Sequence, residues 1–165
     1  MDKKLVPDNF EVPVELELDG LRLRKLTVVD VEKDYEAVMS SLHHLQGTFG
    51  PADEWPPPGL TREQNLSDLQ RHQREFQERK SFTYTVRDWD ETRYLGCVYI
   101  QPSDKAAYDS RVILWVIAAE AGKGRDRRIF HCIKKWIEVE WPFKKVAYPG
   151  REIAWEKWES LEPRS

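Results

Sequence analysis

Apolar and polar side chains alternate through VELELDGLRLRKL, residues 14 to 26, and Asp19-Gly20 interrupts the alternation once. A period of two places the apolar set on one face of a strand, and Asp-Gly tolerates the positive φ of a tight hairpin turn. Two antiparallel strands are therefore expected first. The period then changes. Val31, Tyr35, Val38, Met39 and Leu42 fall on one helical face, with a capping box of Thr27 and Asp30 in front of it. This helix is expected to fray near HHLQGTFG.

Residues 51 to 60, PADEWPPPGL, contain three consecutive prolines, which exclude regular hydrogen-bonded structure. Trp55 in this stretch is either the anchor of a surface connector, the reading that loop behaviour favours, or a wall of a cleft. Thr61 and Gln64 make a second capping box. Behind it Leu66, Leu69 and Phe76 give a thin apolar stripe on a very polar helix, expected to lie over the surface.

From Ser81 the alternation returns. SFTYTVRD and RYLGCVYIQP predict two strands joined by the turn WDET. After the polar loop SDKAAYDS comes RVILWVIA, residues 111 to 118, apolar on both faces and so expected as a central, covered strand. From Asp126 the residues Ile129, Phe130, Ile133, Trp136 and Ile137 form a clear helical face that Pro142 stops. KKVAYPG predicts one more short strand, and REIAWEKWESLEPRS a tail with a turn or two of helix.

The order is strand-strand, helix, helix, three strands, helix, strand, tail. It predicts an α/β (α+β mixed) fold, a mixed, mostly antiparallel sheet flanked by helices, as a single domain over residues 1 to 165. Residues 1 to 12 are expected to be a loosely ordered lead-in. No internal repeat or low-complexity tract is present.

Charge narrows the function classes. The sequence has 26 basic and 29 acidic side chains and a net charge of −3, unlike the basic excess of a general nucleic-acid or anionic-membrane binder. The opening residues hold no long apolar run, which predicts neither a signal peptide nor a membrane span. Cys97 and Cys132, the only two cysteines, read as reduced thiols of a cytoplasmic protein. His43 and His44 are adjacent and point apart on a helix, and neither His72 nor His131 completes a ligand spacing, so no metal site is expected.

One stretch concentrates candidate chemistry. AAEAGKGRDRRIF, residues 118 to 130, carries two glycines, a lysine and three arginines between the covered strand and a helix. The first amides of a helix lack internal partners and its dipole is positive there, so such a turn is a place for phosphate. Gly122, Lys123, Gly124 and Arg125 are the candidate ligand-binding residues.

The arrangement resembles the GNAT acyltransferase superfamily, whose signature Gln/Arg-x-x-Gly-x-Gly/Ala lies between the central strand and the next helix. The frame falls on Ala119-Glu120-Ala121-Gly122-Lys123-Gly124, with both glycines matched and Ala119 in place of Gln or Arg. ELDGLRLRKLTVVDVEKDYEAV and YLGCVYI are similar to the family's opening strand and helix and to its strand before the central one. The resemblance covers roughly residues 14 to 160. It implies acyl-coenzyme A, typically acetyl-CoA, as acyl donor, an amine acceptor, and backbone amides near Val116 and Ile117 that polarise the thioester.

Besides Ala119, four positions depart from the family pattern. Asp126 puts a carboxylate where a pyrophosphate wants donors, and Arg127 and Arg128 stand where aliphatic residues are usual. Trp155-Glu156-Lys157 occupies the place of a Tyr-Glu-Lys pattern, and indole cannot protonate a thiolate. Tyr148, after the last strand, is the remaining candidate acid, although an aromatic packed at a strand end is the commoner role for such a residue. Glu120, Asp109 and His131 are the nearest candidate bases, each also expected at the surface, and Tyr99 is expected in the core. Three functions remain open. The chain is an N-acyltransferase with an unidentified primary amine acceptor, a catalytically lapsed GNAT-like binding module, or an interaction domain that docks a protein through exposed tryptophans. A homodimer is compatible with each.

Overall fold

The computed structural model describes residues 3–165. Asp19 and Gly20 take positive φ, 43° and 84°, and join β1 (Glu15–Leu18) to β2 (Leu21–Lys25) as a hairpin. Asp30 Oδ2 accepts from the Thr27 amide at 2.9 Å and opens a short 3-10 turn into α1 (Val31–Met39). Leu42, expected on the same helix, lies beyond the end of α1 in the single turn α2 (Leu42–Leu45). The break falls at two serines: Ser40 Oγ donates to the Ala37 carbonyl at 2.8 Å, in competition with the helix ladder. The Thr61–Gln64 box is reciprocal, with bonds of 2.9 and 3.1 Å, and starts α3 (Arg62–Gln77).

β3 (Phe82–Asp88), β4 (Tyr94–Pro102) and β5 (Ser110–Val116) follow as an antiparallel meander. After β5 come the turn α4 (Ala118–Ala121), α5 (Arg125–Glu140), β6 (Val146–Ala147) and α6 (Trp155–Ser160). One six-stranded sheet results, ordered β1-β2-β3-β4-β5-β6, antiparallel except for the β5–β6 pair. This is the mixed, mostly antiparallel sheet that the alternation predicts, and β5 is interior with both faces covered. It ends at Val116, and Ala118 already belongs to a helical turn.

Each face of the sheet carries its own core. Val112, Leu114 and Val116 point to the face covered by Ile129, Phe130, Ile133, Trp136 and Ile137 of α5. Ile113 and Trp115 point to the other, under Ala37 and Val38 of α1 and Leu45 of α2. α3 packs beside α1 with Asn65, Leu69, His72 and Phe76 buried, so its polar sequence hides two polar side chains that the thin apolar stripe does not announce.

The lead-in is a correction. Val6 is buried, and Phe10 packs on Trp141 with ring centroids 5.1 Å apart. Arg79 donates to the carbonyls of Pro7 and Phe10 at 2.8 and 3.0 Å. Two apolar side chains in a polar segment suffice to dock it once a hydrophobic slot and a guanidinium are available. The expectation for residues 1 and 2 lies outside the described residues.

Gly96 lies opposite Val116 in the β4–β5 ladder, and a Cβ there would collide with the Trp115 carbonyl. Backbone cannot move aside as a side-chain tip can. Gly96→Ala is expected to destabilise the fold by about 1–3 kcal/mol, the usual range for overpacking, read from the midpoint of urea unfolding.

Candidate functional site

β5 and β6 pair over only two registers, Ser110↔Val146 and Arg111↔Ala147. Beyond them the strands part and leave a wedge of about 480 Å³ between Ile113–Val116 and Pro149–Arg151. The β4–β5 ladder fixes which backbone groups face it. Ile117 donates its amide to Leu95 at 2.8 Å across the sheet. Antiparallel residues alternate in bonding direction, so Val116 and Leu114 turn their N–H and C=O groups away from β4 and into the wedge. Of the two amides singled out in the sequence, that of Val116 is therefore available there, and that of Ile117 is consumed by the ladder.

The glycine-rich turn closes one end of the wedge. Ser41 Oγ accepts from the Ala118 amide at 2.9 Å, and the amides of Ala121 and Lys123 bond back to Ile117 and Glu120 at 3.1 Å each. Gly124 caps α5 at φ 75°, a left-handed conformation that glycine adopts without strain. Gly122 is right-handed at φ −70°. Arg128 is the first residue of α5 whose amide bonds back, to Gly124. The unbonded amides that suit an anion thus run from Gly124 to Arg127, which keeps Gly124 and Arg125 of the expected set and leaves out Lys123.

The cations of this stretch are turned elsewhere. Glu120 is buried, against the expectation of a surface residue, and Arg93 pairs with it, with Arg125 at 3.7 Å and Lys123 at 3.9 Å. Arg125 also pairs with Asp88. A buried carboxylate demands such compensation, so Lys123 and Arg125 serve internal acids on the side of the turn away from the wedge.

The wedge has its own polar residues. Arg151 forms a two-pronged ion pair with Asp126, at 2.7 and 2.9 Å, and donates to the Leu114 carbonyl at 3.0 Å. The guanidinium holds the Asp126 carboxyl below the usual carboxylate range. His44 Nε2–H donates to the Val116 carbonyl at 3.1 Å. The Trp155 indole lies against Gly50 and Gly150, so close that a Cβ on Gly150 would be 2.6 Å from its Nε1. Sequence reading missed Arg151 and His44, because neither has a local pattern. Only folding brings them to β5, 37 and 72 residues away in the chain.

Beside the wedge, on the sheet face covered by α1 and α3, is a second cavity of about 390 Å³. Phe49, Trp55 and Tyr99 wall it, Asp34 and Asn65 line its floor, and Asp53, Asp68, Arg71 and Arg111 line it as well. Trp55 is thus a cleft wall, packed 6.1 Å from Trp115, which itself lines the wedge. Burial raises the Asp34 carboxyl above its ordinary range, although it accepts hydrogen bonds from Tyr94 and Asn65. Burial lowers the His72 imidazole to about 4.

Tyr148 is placed differently from the expectation of a proton donor. Its ring packs edge-on against Phe130 in the α5 core at 5.2 Å, and its hydroxyl is buried without a hydrogen-bond partner, outside the residues that line the wedge. Burial raises its phenol well above the ordinary range. Asp109 accepts from the Lys144 and Lys145 amides, and His131 is exposed on α5, so neither belongs to the site. Among the described residues no cluster of three or more His, Cys, Asp or Glu could hold a metal ion. No helix there is long and apolar enough to cross a membrane.

Two outcomes follow from these placements. The unpaired Tyr148 hydroxyl costs about 1–3 kcal/mol to bury, so Tyr148→Phe should unfold at the same or a higher temperature than the native chain, as read by calorimetry. His72 is neutral when folded, whereas the unfolded chain binds its proton below about pH 6.5. Its contribution to stability is therefore present above that pH and lost as pH falls toward 4, on the order of 2–3 kcal/mol. Urea unfolding at pH 7 and pH 4 should show a smaller loss in His72→Gln than in the native chain.

No family model matches the sequence, and no curated protein is significantly similar to it. Solved structures are similar in fold. The ribosomal-protein-S5-alanine acetyltransferase from Vibrio fischeri matches with a TM-score of 0.56 at 20% identity, over 76% of this chain and 67% of that one. The ribosomal L7/L12 alpha-N-protein acetyltransferase RimL, in complex with coenzyme A, matches at 0.59 and 15% identity, over 76% and 66%. The microcin C7 self-immunity acetyltransferase MccE, in complex with acetyl-CoA and AMP, matches at 0.57 and 16%, over 76% and 67%. The matched region is about two thirds of the length of these neighbours. This chain has the fold of the GNAT acetyltransferases.

Proposed function

We propose that the domain transfers an acyl group from acyl-coenzyme A to an amine, with the donor seated in the β5–β6 wedge. The observation that carries this reading is the parting of β5 from β6, which leaves the Leu114 and Val116 backbone facing an open cleft that ends at the first turn of α5. A ligand arm with its own amides can pair with that strand edge, as an added strand would. Acetyl-CoA complexes of neighbours with this fold support the same choice of donor. The acyl donor supplies the thioester carbon that the amine nitrogen attacks as the carbon–sulfur bond breaks.

The chain's own residues divide the remaining work. The Val116 amide, aimed into the wedge, is the donor available to a developing oxyanion. His44, bonded through Nε2 to the Val116 carbonyl, keeps Nδ1 free to take the proton of the attacking amine. The thiolate takes its proton from water, because the Trp155 indole N–H is too weak an acid to give up its proton and Tyr148 is turned into the core. General acid help is worth about 10²–10⁴-fold, so turnover would be slow. The acceptor enters from the cavity between α1 and α3, where Asp53 and Asp68 offer carboxylates to an ammonium and Trp55 and Phe49 offer flat apolar walls.

A lapsed, binding-only domain is the second reading, favoured by the Arg151–Asp126 pair and Trp155, which fill part of the wedge. The reading as a tryptophan-docked interaction domain has little support, since Trp89 alone of the seven tryptophans is exposed, at 62%.

Acetyl-CoA should raise the melting temperature of the native chain, and thiol release should be detectable on a panel of primary amines. Tyr148→Phe should leave that turnover within about twofold of the native rate, far from the ~10²-fold loss of a general acid. Binding without turnover on any amine would favour the lapsed domain. Absence of coenzyme A binding at millimolar concentration would sink both.

A further inference from the structure

We propose that Arg151 is an anion-binding residue held in reserve, and that Asp126 is the internal anion which a diphosphate-bearing ligand displaces from it. For the identity of the ligand as a coenzyme A thioester the inference rests on the acyl-transfer reading; for the chemistry of the pair it does not.

Position comes first. Asp126 lies in the first turn of α5, where unbonded amides and the positive end of the helix dipole favour negative charge. Its carboxylate bonds to Arg151 and to none of those amides, so it engages the guanidinium and leaves the amides open to an incoming phosphate. Arg151 meets it with two nitrogens at 2.7 and 2.9 Å, the same fork by which guanidinium grips a phosphate. Among the described residues lining the wedge, Arg151 carries the only guanidinium or ammonium group, because Lys123, Arg125 and Arg93 are engaged with Glu120 and Asp88 on the other side of the turn.

The pair is also built to change partners. It is part-buried and not sealed, its side chains keeping 21% and 27% of their surface exposed along the wedge. The Arg151 backbone is pinned, with its amide on Tyr148 at 3.1 Å and Gly150 bonded to Ile153 at 2.7 Å, while only the side chain spans the wedge. When the guanidinium leaves Asp126 for a phosphate, it also leaves the Leu114 carbonyl. That frees a strand-edge acceptor for a ligand amide. One side-chain movement thus opens the anion site and the strand edge together, which couples occupation of the wedge to the presence of phosphate.

The two halves of the pair then have opposite effects on binding, which a merely structural ion pair would not. Calorimetric titration of inorganic pyrophosphate and of coenzyme A into the native chain, Asp126→Asn and Arg151→Met tests this, with thermal melts to show that each is folded. Asp126→Asn keeps the shape of the side chain and removes the competing charge, so it should bind both ligands about tenfold more tightly. Arg151→Met removes the grip and leaves the carboxylate unpaired, so it should bind both at least about tenfold more weakly, the scale of one charge-assisted hydrogen bond. Arg151→Lys, with charge but no fork, should fall between, and it serves if the Met variant fails to fold. Shifts in the same direction, or none, against a native chain that binds coenzyme A would overturn the inference and leave acyl transfer standing. Opposite shifts for pyrophosphate, with coenzyme A bound no better than pyrophosphate, would uphold the anion site and remove the acyl-coenzyme A reading. No uptake of either ligand by any folded variant overturns both.

Discussion

Everything at the proposed site depends on how briefly β5 and β6 are paired. Two registers of parallel ladder hold Val146 and Ala147 to the start of β5, and then the chain turns away at Tyr148. Had the pairing continued, the Leu114 and Val116 backbone would be spent on a neighbouring strand, and no cleft would exist. Strand β6 cannot continue because its next residues serve other contacts. Tyr148 is drawn into the α5 core beside Phe130, and Pro149 lacks the amide a ladder requires. The cleft is thus a by-product of hydrophobic burial one residue away from it.

Charge is the second constraint, and it works against a simple reading of the glycine-rich turn. The sequence places a lysine and three arginines there, as though to collect phosphate. Glu120 lies within the turn and folding brings Asp88 to it, and the two take up Lys123 and Arg125, while Asp126 takes up Arg151. Glu120 is the decisive case, since its burial obliges the protein to aim cations at it. What remains for a ligand is the set of first-turn amides of α5 and whatever can be released from Asp126.

The two cavities meet at an aromatic partition. Trp115 faces the wedge on one side, and Trp55 and Phe49 pack behind it, walling the cavity on the α1–α3 side. The proline-rich segment 51–60, which carries Trp55, is thus a cavity wall as well as a connector.

By itself the sequence determined the elements and their order. Periods of two and 3.6, two capping boxes, Asp19-Gly20 and Pro142 are local signals, and the physics behind them is local: side-chain direction, turn dihedrals and missing donors. The two-sided apolar run of β5 likewise placed that strand inside the sheet. The tertiary structure decided what no window of sequence contains. Arg151 and His44 reach β5 across long stretches of chain, Tyr148 turns inward, Lys123 and Arg125 turn away from the wedge, and residues 3–12 dock through Val6 and Phe10. Each of these depends on which of several partners a side chain finds once the core has formed, and that choice is set by burial and charge summed over the whole molecule.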